Sequence, residues 1–193
     1  MTALATLPVH SPYSGELVGE APVCDGARTR ALLDTAASYR DELSRHERSR
    51  ILFAVADAIA ARRDELAALI SAESGLCLKD TRHEAARSVD VFRFAAIEAL
   101  RDDGESFAGD VSPHGRDRRA HTLRVPVRLV AAITPFNHPL NQVAHKLAPA
   151  IAAGAPIVLK PSEKTPLAGL WLARAILDAG YPAEALAVVT GDR

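Results

Sequence analysis

Three short apolar runs in the second half of the chain are separated by two longer stretches of mixed polarity. The runs span residues 129–133, 157–159 and 186–189. In the first stretch, apolar residues recur at steps of three and four, which is typical of a helix with one buried face. These residues are Leu140, Val143, Leu147 and Ile151. The pattern predicts strand, helix, strand, helix, strand, and continuous apolar strands joined by helices favour a parallel sheet covered on both faces.

Residues that favour helix ends bracket both predicted helices. Gly154 is placed to end the first helix, and the second is expected to run over residues 167–178 and to stop at Gly180. Thr165 has the residue type of an N-cap, and Pro166 would then occupy the first helical position. The fold class is therefore α/β, and the five elements form half of a dinucleotide-binding fold.

Two polar turns follow the first two predicted strands. They are ITPFNHP at residues 133–139 and KPSEKT at residues 160–165. Ligands of such folds bind beyond the carboxyl ends of parallel strands, and both turns lie at those ends. Topology therefore predicts the site in these turns before any motif is considered.

The first half of the chain has a different, mostly helical pattern. Residues 8–24 predict two short strands around a turn at Ser14-Gly15. Three amphipathic helices are then predicted over residues 28–43, 47–74 and 81–102. The inward positions of the third helix are Ala85, Val89, Phe92, Ala96 and Leu100. We expect these helices to form a cap that packs on the sheet.

Residues 103–125 interrupt the helical pattern with recurrent glycine and proline, and Arg116, Arg118 and Arg119 cluster there. One interpretation is a β-hairpin that projects from the domain, with its second strand in an alternating tail, and the other is a solvated loop with a basic patch. The chain is accordingly divided into strands and helices over residues 1–102, this segment, and the first half of a dinucleotide-binding domain over residues 126–193.

Composition is that of a soluble globular protein. The 193 residues are 48% hydrophobic and 24% charged with a net charge of −1, so no basic surplus points to nucleic acid or anionic membranes. No apolar run is as long as a membrane span and the first residues lack a signal-peptide pattern, which predicts a cytoplasmic protein. Cys24 and Cys77 are expected to be reduced and buried, and no histidine or cysteine spacing predicts a metal site.

Four segments resemble the NAD(P)-dependent aldehyde dehydrogenase superfamily in order and spacing. They are ITPFNHP (133–139), KLAPA (146–150), LKPSEKTP (159–166) and VVTG (188–191). The resemblance covers the whole chain but only the first part of a family member, and FNHPLNQVAHK looks more like the phosphonoacetaldehyde and lactaldehyde dehydrogenase branch than other branches. It implies an oxidoreductase that converts an aldehyde to a carboxylate, and a homo-oligomer in which residues 103–125 form an oligomerisation hairpin.

Asn137 is the candidate catalytic residue. Its side-chain amide is a neutral donor that can stabilise an oxyanion on a carbonyl oxygen, although an asparagine in a turn more often bonds its own backbone. The resemblance implies the first role, as donor to the oxyanion of a thiohemiacetal intermediate. It also implies that the backbone of Ile133, Thr134, Pro135 and Phe136 flanks the nicotinamide.

Lys160, Ser162 and Glu163 are the other candidate cofactor-binding residues. An ammonium and a carboxylate three residues apart can grip the two hydroxyls of a ribose, and the alternative is a surface ion pair worth under about 1 kcal/mol. The resemblance assigns Lys160 and Glu163 to the adenosine ribose of NAD(P). A carboxylate at Glu163 should repel a 2′-phosphate, which favours NAD, although Lys160, Ser162 and Lys164 would still accommodate NADP.

His138 and Arg87 are candidate substrate-binding residues for a small anionic aldehyde such as phosphonoacetaldehyde. His138 follows Asn137 in the turn, and the guanidinium of Arg87 offers a planar fork to an anionic group. The alternative for Arg87 is a helix-surface network with Glu84 and Asp90, each three residues away.

The resemblance further implies that the nucleophilic cysteine, the general-base glutamate and the glycine-containing phosphate turn lie beyond residue 193. We therefore expect this chain not to oxidise aldehydes by itself. It is then a fragment, one piece of a split enzyme completed by a C-terminal polypeptide, or a non-catalytic interaction module. Reductases of acyl phosphates or acyl-CoA share the superfamily's fold and stay open as a further alternative.

Overall fold

The structure is a computed structural model that describes residues 5–101 and 104–191, and it begins with a strand pair followed by four helices. The antiparallel strands are β1 (Thr6–His10) and β2 (Leu17–Pro22), as predicted. The helices are α1 (Gly26–Ser38), α2 (Arg45–Ala61), α3 (Arg63–Ser74) and α4 (Leu78–Glu98). A capping box between Ser44 and Glu47 starts α2, and Gly75 ends α3 in the left-handed conformation at a φ of 75°.

A two-stranded ribbon and a three-stranded sheet make up the second half of the chain. The ribbon pairs β3 (Ser106–Ala108) antiparallel with β4 (Arg119–His121). The sheet is parallel in the order β5 (Val130–Ile133), β6 (Ile157–Lys160), β7 (Leu186–Val188), with α5 (Pro139–Ala152) and α6 (Leu167–Asp178) as crossovers. The predicted α/β class and the strand–helix order are confirmed. The hairpin interpretation also holds within residues 104–121, while residues 102 and 103 lie outside the described residues.

Helices from both halves of the chain pack on the sheet through one continuous core. Alternate side chains of β6 face opposite sides: Ile157 and Leu159 join the core formed with α2 to α6, whereas Val158 packs against Ala36 of α1. Hence α5 and α6 cover one face of the sheet, α1 covers the other, and β6 is buried on both. The division at residues 102 and 125 stays a prediction.

Two predicted helix boundaries are wrong. The single helix over residues 47–74 is two helices, because Arg62, with φ −114° and ψ 22°, leaves the helical conformation. Neither glycine nor proline marks that break in the sequence. The helix over residues 28–43 ends at Ser38, because Tyr39 turns to an extended conformation with a ψ of 141°.

Three further predictions, on the burial of Leu100, the burial of the cysteines and the length of the ribbon, are wrong. Leu100 is 53% exposed rather than inward, because α4 ends at Glu98 and Leu100 lies in the turn beyond it. Cys77 is exposed and Cys24 is half-buried, and both are free thiols. The alternating tail continues the backbone pairing only as far as Thr122, whose N–H donates to the carbonyl of Glu105 at 2.9 Å.

Candidate functional site

The first turn (residues 133–139) and the second turn (residues 160–165) lie side by side at the carboxyl edge of the sheet. Because β5 and β6 are parallel with Ile133 opposite Lys160, both strands end at the same level. The N–H of Thr134 donates to the carbonyl of Lys160 at 3.2 Å, which extends the pairing into the turns. The sheet therefore presents both segments at one edge, as the topology predicted.

A second set of contacts joins the tips of the two turns. The hydroxyl of Thr165 donates to the carbonyl of Phe136 at 3.3 Å, and the ammonium of Lys164 lies 4.8 Å from the centre of the Phe136 ring. Ser162 Oγ accepts from the N–H of Lys164 at 3.2 Å. The predicted N-cap at Thr165 is wrong, because α6 begins after Pro166 and Thr165 bonds across the turns instead.

The second turn, in which Lys164 is exposed, is less open than the first, whose side chains are mostly exposed. The exposed residues are Ile133, Pro135, Phe136, Asn137 and His138. Thr134 is buried, and its hydroxyl oxygen has no hydrogen-bond partner among the described residues. Lys160 and Glu163 are half-buried, whereas Ser162 is buried. The edge thus combines an open turn with a charged turn that keeps part of its surface in contact with solvent.

A buried carboxylate on α4 supports the first turn from behind. Glu84 is 2% exposed, and its Oε1 accepts from the backbone N–H groups of Leu140 at 2.9 Å and Asn141 at 3.0 Å. Its Oε2 lies 3.3 Å from Nδ1 of His138. The first N–H groups of a helix have no partner within the helix and carry its positive dipole end, so Glu84 stabilises the start of α5.

Glu73 on α3 has the same role at the start of α6. Its Oε2 accepts from the N–H of Leu167 at 2.8 Å and its Oε1 from the N–H of Ala168 at 3.0 Å. Burial raises the pKa of Glu73 to about 7, although the two backbone donors lower it, and the Glu84 carboxylate adds to the rise. Carboxylates from the helical half of the chain therefore anchor both crossover helices next to the turns.

The sequence contains a signal for the buried position of Glu73. Glu73 follows Leu66 and Ile70 at helical steps, so it falls on the buried face of α3, and a carboxylate on such a face needs partners. The proposed surface network around Arg87 is wrong for Glu84, which is buried against α5. Arg87 is exposed on α4, and no hydrogen bond or ion pair joins it to the first turn among the described residues.

The pH dependence of stability tests the state of Glu73. Between about pH 4.5 and about pH 7 the folded chain holds a proton on Glu73 that the unfolded chain has released, so the stability that this proton contributes is lost as the pH rises. The expected loss is about 3 kcal/mol in the free energy of unfolding across that window. Urea denaturation of wild type and Glu73→Gln at several pH values measures it.

The substitution Glu73→Gln should remove this component of the pH dependence, since glutamine does not titrate. Glu65→Gln is the matched control on the same helix, because Glu65 is exposed and pairs with Arg62 at the surface. Identical pH profiles for wild type and Glu73→Gln would contradict the assignment.

The described residues contain neither a membrane-spanning helix nor a metal cluster. Within residues 5–101 and 104–191, no helix is long and apolar enough to cross a bilayer. In the same residues no three or more His, Cys, Asp or Glu side chains gather as metal ligands.

Comparison with known proteins accounts for the whole chain. The model of the aldehyde dehydrogenase family matches residues 2–193. The aldehyde-dehydrogenase-like protein y4uC of Sinorhizobium fredii is 40% identical, over 100% of this chain and 38% of its own length. The 3-sulfolactaldehyde dehydrogenase of Priestia megaterium is 40% identical over 84% of this chain and 34% of its own length.

The fold comparison agrees. The NADP-dependent glyceraldehyde-3-phosphate dehydrogenase of Bacillus halodurans, solved with NADP, superposes with a TM-score of 0.93 at 33% identity, over 97% of this chain and 40% of that one. This chain thus spans about two-fifths of the length of the proteins it matches. On both sequence and fold, the chain belongs to the aldehyde dehydrogenase family.

Proposed function

We propose that this chain contributes the oxyanion donor and the adenosine-ribose part of the cofactor site to an NAD(P)-dependent oxidation of an aldehyde to a carboxylate. The observation that carries the proposal is the parallel pairing of Ile133 with Lys160. It brings the turn with Asn137 and the turn with Glu163 to one edge of the sheet, so that a single extended ligand can contact both.

The chemistry of the second turn fits a ribose. A ribose presents two neighbouring hydroxyls, each able to donate and accept, and the Lys160 ammonium donates while the Glu163 carboxylate accepts. A dinucleotide held there would supply the hydride acceptor that the oxidation requires. A carboxylate at Glu163 repels the 2′-phosphate of NADP, so NAD is the proposed preference.

The first turn fits the reacting end of the substrate. The exposed amide of Asn137 can donate to the carbonyl oxygen as negative charge develops there, and a neutral donor does so without first forming an ion pair with the cofactor. The backbone of the first turn from Ile133 to Phe136 would lie against the nicotinamide. The nucleophile and the base are proposed to come from sequence beyond residue 193.

A small aldehyde with an anionic group is the proposed substrate class, with phosphonoacetaldehyde as one example. His138 lies next to Asn137 and is exposed, and Arg87 is exposed on the helix whose Glu84 contacts His138. The similarity to a 3-sulfolactaldehyde dehydrogenase supports this class, since that substrate carries a sulfonate.

The ribbon is the proposed oligomerisation surface. Phe107 on β3 is 52% exposed and Val111 beyond it is 93% exposed, and such apolar groups favour burial against another chain. A homo-oligomer, or a complex with a polypeptide that completes the domain, would cover them. The proposed setting is the cytoplasm.

Cofactor titration tests the proposed function. Lys160→Ala should weaken NAD+ binding by about tenfold, because it removes one charged hydrogen bond to the ribose. Binding is measured by calorimetry on the 193-residue chain, and NADP+ is expected to bind more weakly than NAD+.

Lys79→Ala is the control for the loss of one positive charge, since Lys79 is exposed on α4 and belongs to neither turn. If both substitutions weakened NAD+ binding equally, the effect of Lys160→Ala would come from the net charge and not from a contact with the ribose. A folded chain that binds neither nucleotide at millimolar concentration would refute the cofactor half-site.

A further inference from the structure

We infer that Glu84 is a positioning residue for His138: it determines which ring nitrogen carries hydrogen and which nitrogen is left for a ligand. The role in substrate recognition rests on the proposed function, because it requires His138 to face the aldehyde. The link between the two side chains rests only on their geometry.

The geometry restricts what the Glu84 carboxylate can do. Its Oε1 accepts from two backbone N–H groups, those of Leu140 and Asn141, which fixes the carboxylate against the start of α5. Its Oε2 then lies 3.3 Å from Nδ1 of His138. The Glu84 side chain is 1% exposed and the His138 side chain 47%, so the imidazole bridges a buried anion and the open edge of the sheet.

The carboxylate oxygens of Glu84 are acceptors here, so we infer that Nδ1 of His138 is the atom that donates. In the neutral ring the hydrogen then sits on Nδ1, and Nε2 keeps its lone pair. This is the less common form of a free imidazole, and Glu84 selects it. When the ring is protonated, Nε2 becomes a second donor and Glu84 balances the added charge.

The consequence for recognition concerns Nε2. An anionic group of the substrate that approaches Nε2 favours the protonated ring, which then donates one hydrogen bond to the substrate and one to Glu84. Glu84 contacts no substrate in this scheme. It keeps the ring in the orientation and the hydrogen-bonded form in which a substrate anion meets a donor beside Asn137.

Replacing Glu84 by glutamine should reverse the form of the ring. The amide oxygen of glutamine still accepts from the backbone N–H groups, but its NH2 then faces Nδ1 and donates to it. His138 would be driven to carry its hydrogen on Nε2. The substitution thus keeps the size of the side chain and most of its backbone contacts. It replaces one acceptor, the Oε2 that faces His138, with a donor.

Long-range ¹H–¹⁵N correlation spectra of the labelled 193-residue chain measure the ring form directly, at about pH 8.5, about two units above the ordinary pKa of a free imidazole. Comparison with His138→Gln identifies the His138 signals among the seven histidines. We expect the Nδ1–H form in wild type and the Nε2–H form in Glu84→Gln. An Nε2–H form in wild type would overturn the inference, whether or not the variant folds.

Glu73→Gln is the matched control. Glu73 also accepts from two N–H groups at a helix start, but it has no histidine partner among the described residues. Of the two substitutions, only Glu84→Gln should change the form of the His138 ring. Equal changes at His138 in both variants would reduce Glu84 to a structural cap. The samples contain no cofactor or aldehyde, so this test of the Glu84–His138 link can fail while the proposed function stands, and the reverse.

Discussion

Substitution of Asn137 by alanine is expected to lower kcat for aldehyde oxidation by about 10²- to 10³-fold. In the proposed role, Asn137 would be a preorganised donor to charge that appears only in the transition state, which accounts for an effect of this size. KM should change much less, since the ground-state carbonyl oxygen gains little from the same donor.

The measurement needs a catalytically complete protein. A chimera in which residues 1–193 replace the matching segment of a full-length relative provides one, and its aldehyde-dependent production of NADH is followed. Asn137→Asp is the second variant, because it preserves size but replaces the donor with an acceptor. It should be at least as slow as alanine.

Lys146→Ala is the control in the chimera. Lys146 is exposed on α5, outside the two turns, and its loss should leave kcat within about twofold, as for surface positions generally. If Asn137→Ala retained wild-type kcat, or raised KM without lowering kcat, the oxyanion role would be wrong.

The second large effect is expected in the core. Phe92→Ala should lower the free energy of unfolding by about 3–5 kcal/mol, because Phe92 is fully buried and alanine leaves a cavity that the surrounding helices fill only in part. The core that contains Phe92 also contains Leu147 of α5 and Leu159 of β6. The sheet should therefore lose stability together with the helices, in one transition.

Phe94→Ala is the control that shows whether the loss of stability comes from burial or from the loss of any phenylalanine. Phe94 lies two positions later on the same helix but is 68% exposed, so its loss should change stability by no more than about 0.5 kcal/mol. Urea denaturation followed by both circular dichroism and Trp171 fluorescence measures both variants. Two separate transitions in Phe92→Ala, with the sheet unaffected, would contradict a common core.

The sheet half of the fold could be predicted because its signals are local. Apolar runs mark the strands, helical spacing marks α5, and Gly154 ends that helix in a left-handed conformation at a φ of 74°. The pairing of two turns at one edge also follows from topology, since parallel strands joined by crossovers end on the same side.

The supports of the site could not be predicted because they depend on contacts distant in sequence. Glu84 contacts residues 54 to 57 positions away, and Glu73 contacts residues 94 and 95 positions away. A carboxylate on a helix face does not reveal which helix start it meets. The break at Arg62 could not be predicted either, because the sequence around it is compatible with a continuous helix.

Amide chemical-shift mapping tests most directly whether the carboxyl edge of the sheet binds the dinucleotide, as proposed. Addition of NAD+ to the ¹⁵N-labelled chain should shift the amides of the first and second turns, residues 133–138 and 160–165, in a saturable manner. Lys160→Ala should raise the NAD+ concentration needed for these shifts, while the same amides shift. Saturable shifts at the opposite edge of the sheet, around residues 155–157, or no shifts in a folded chain, would contradict the account.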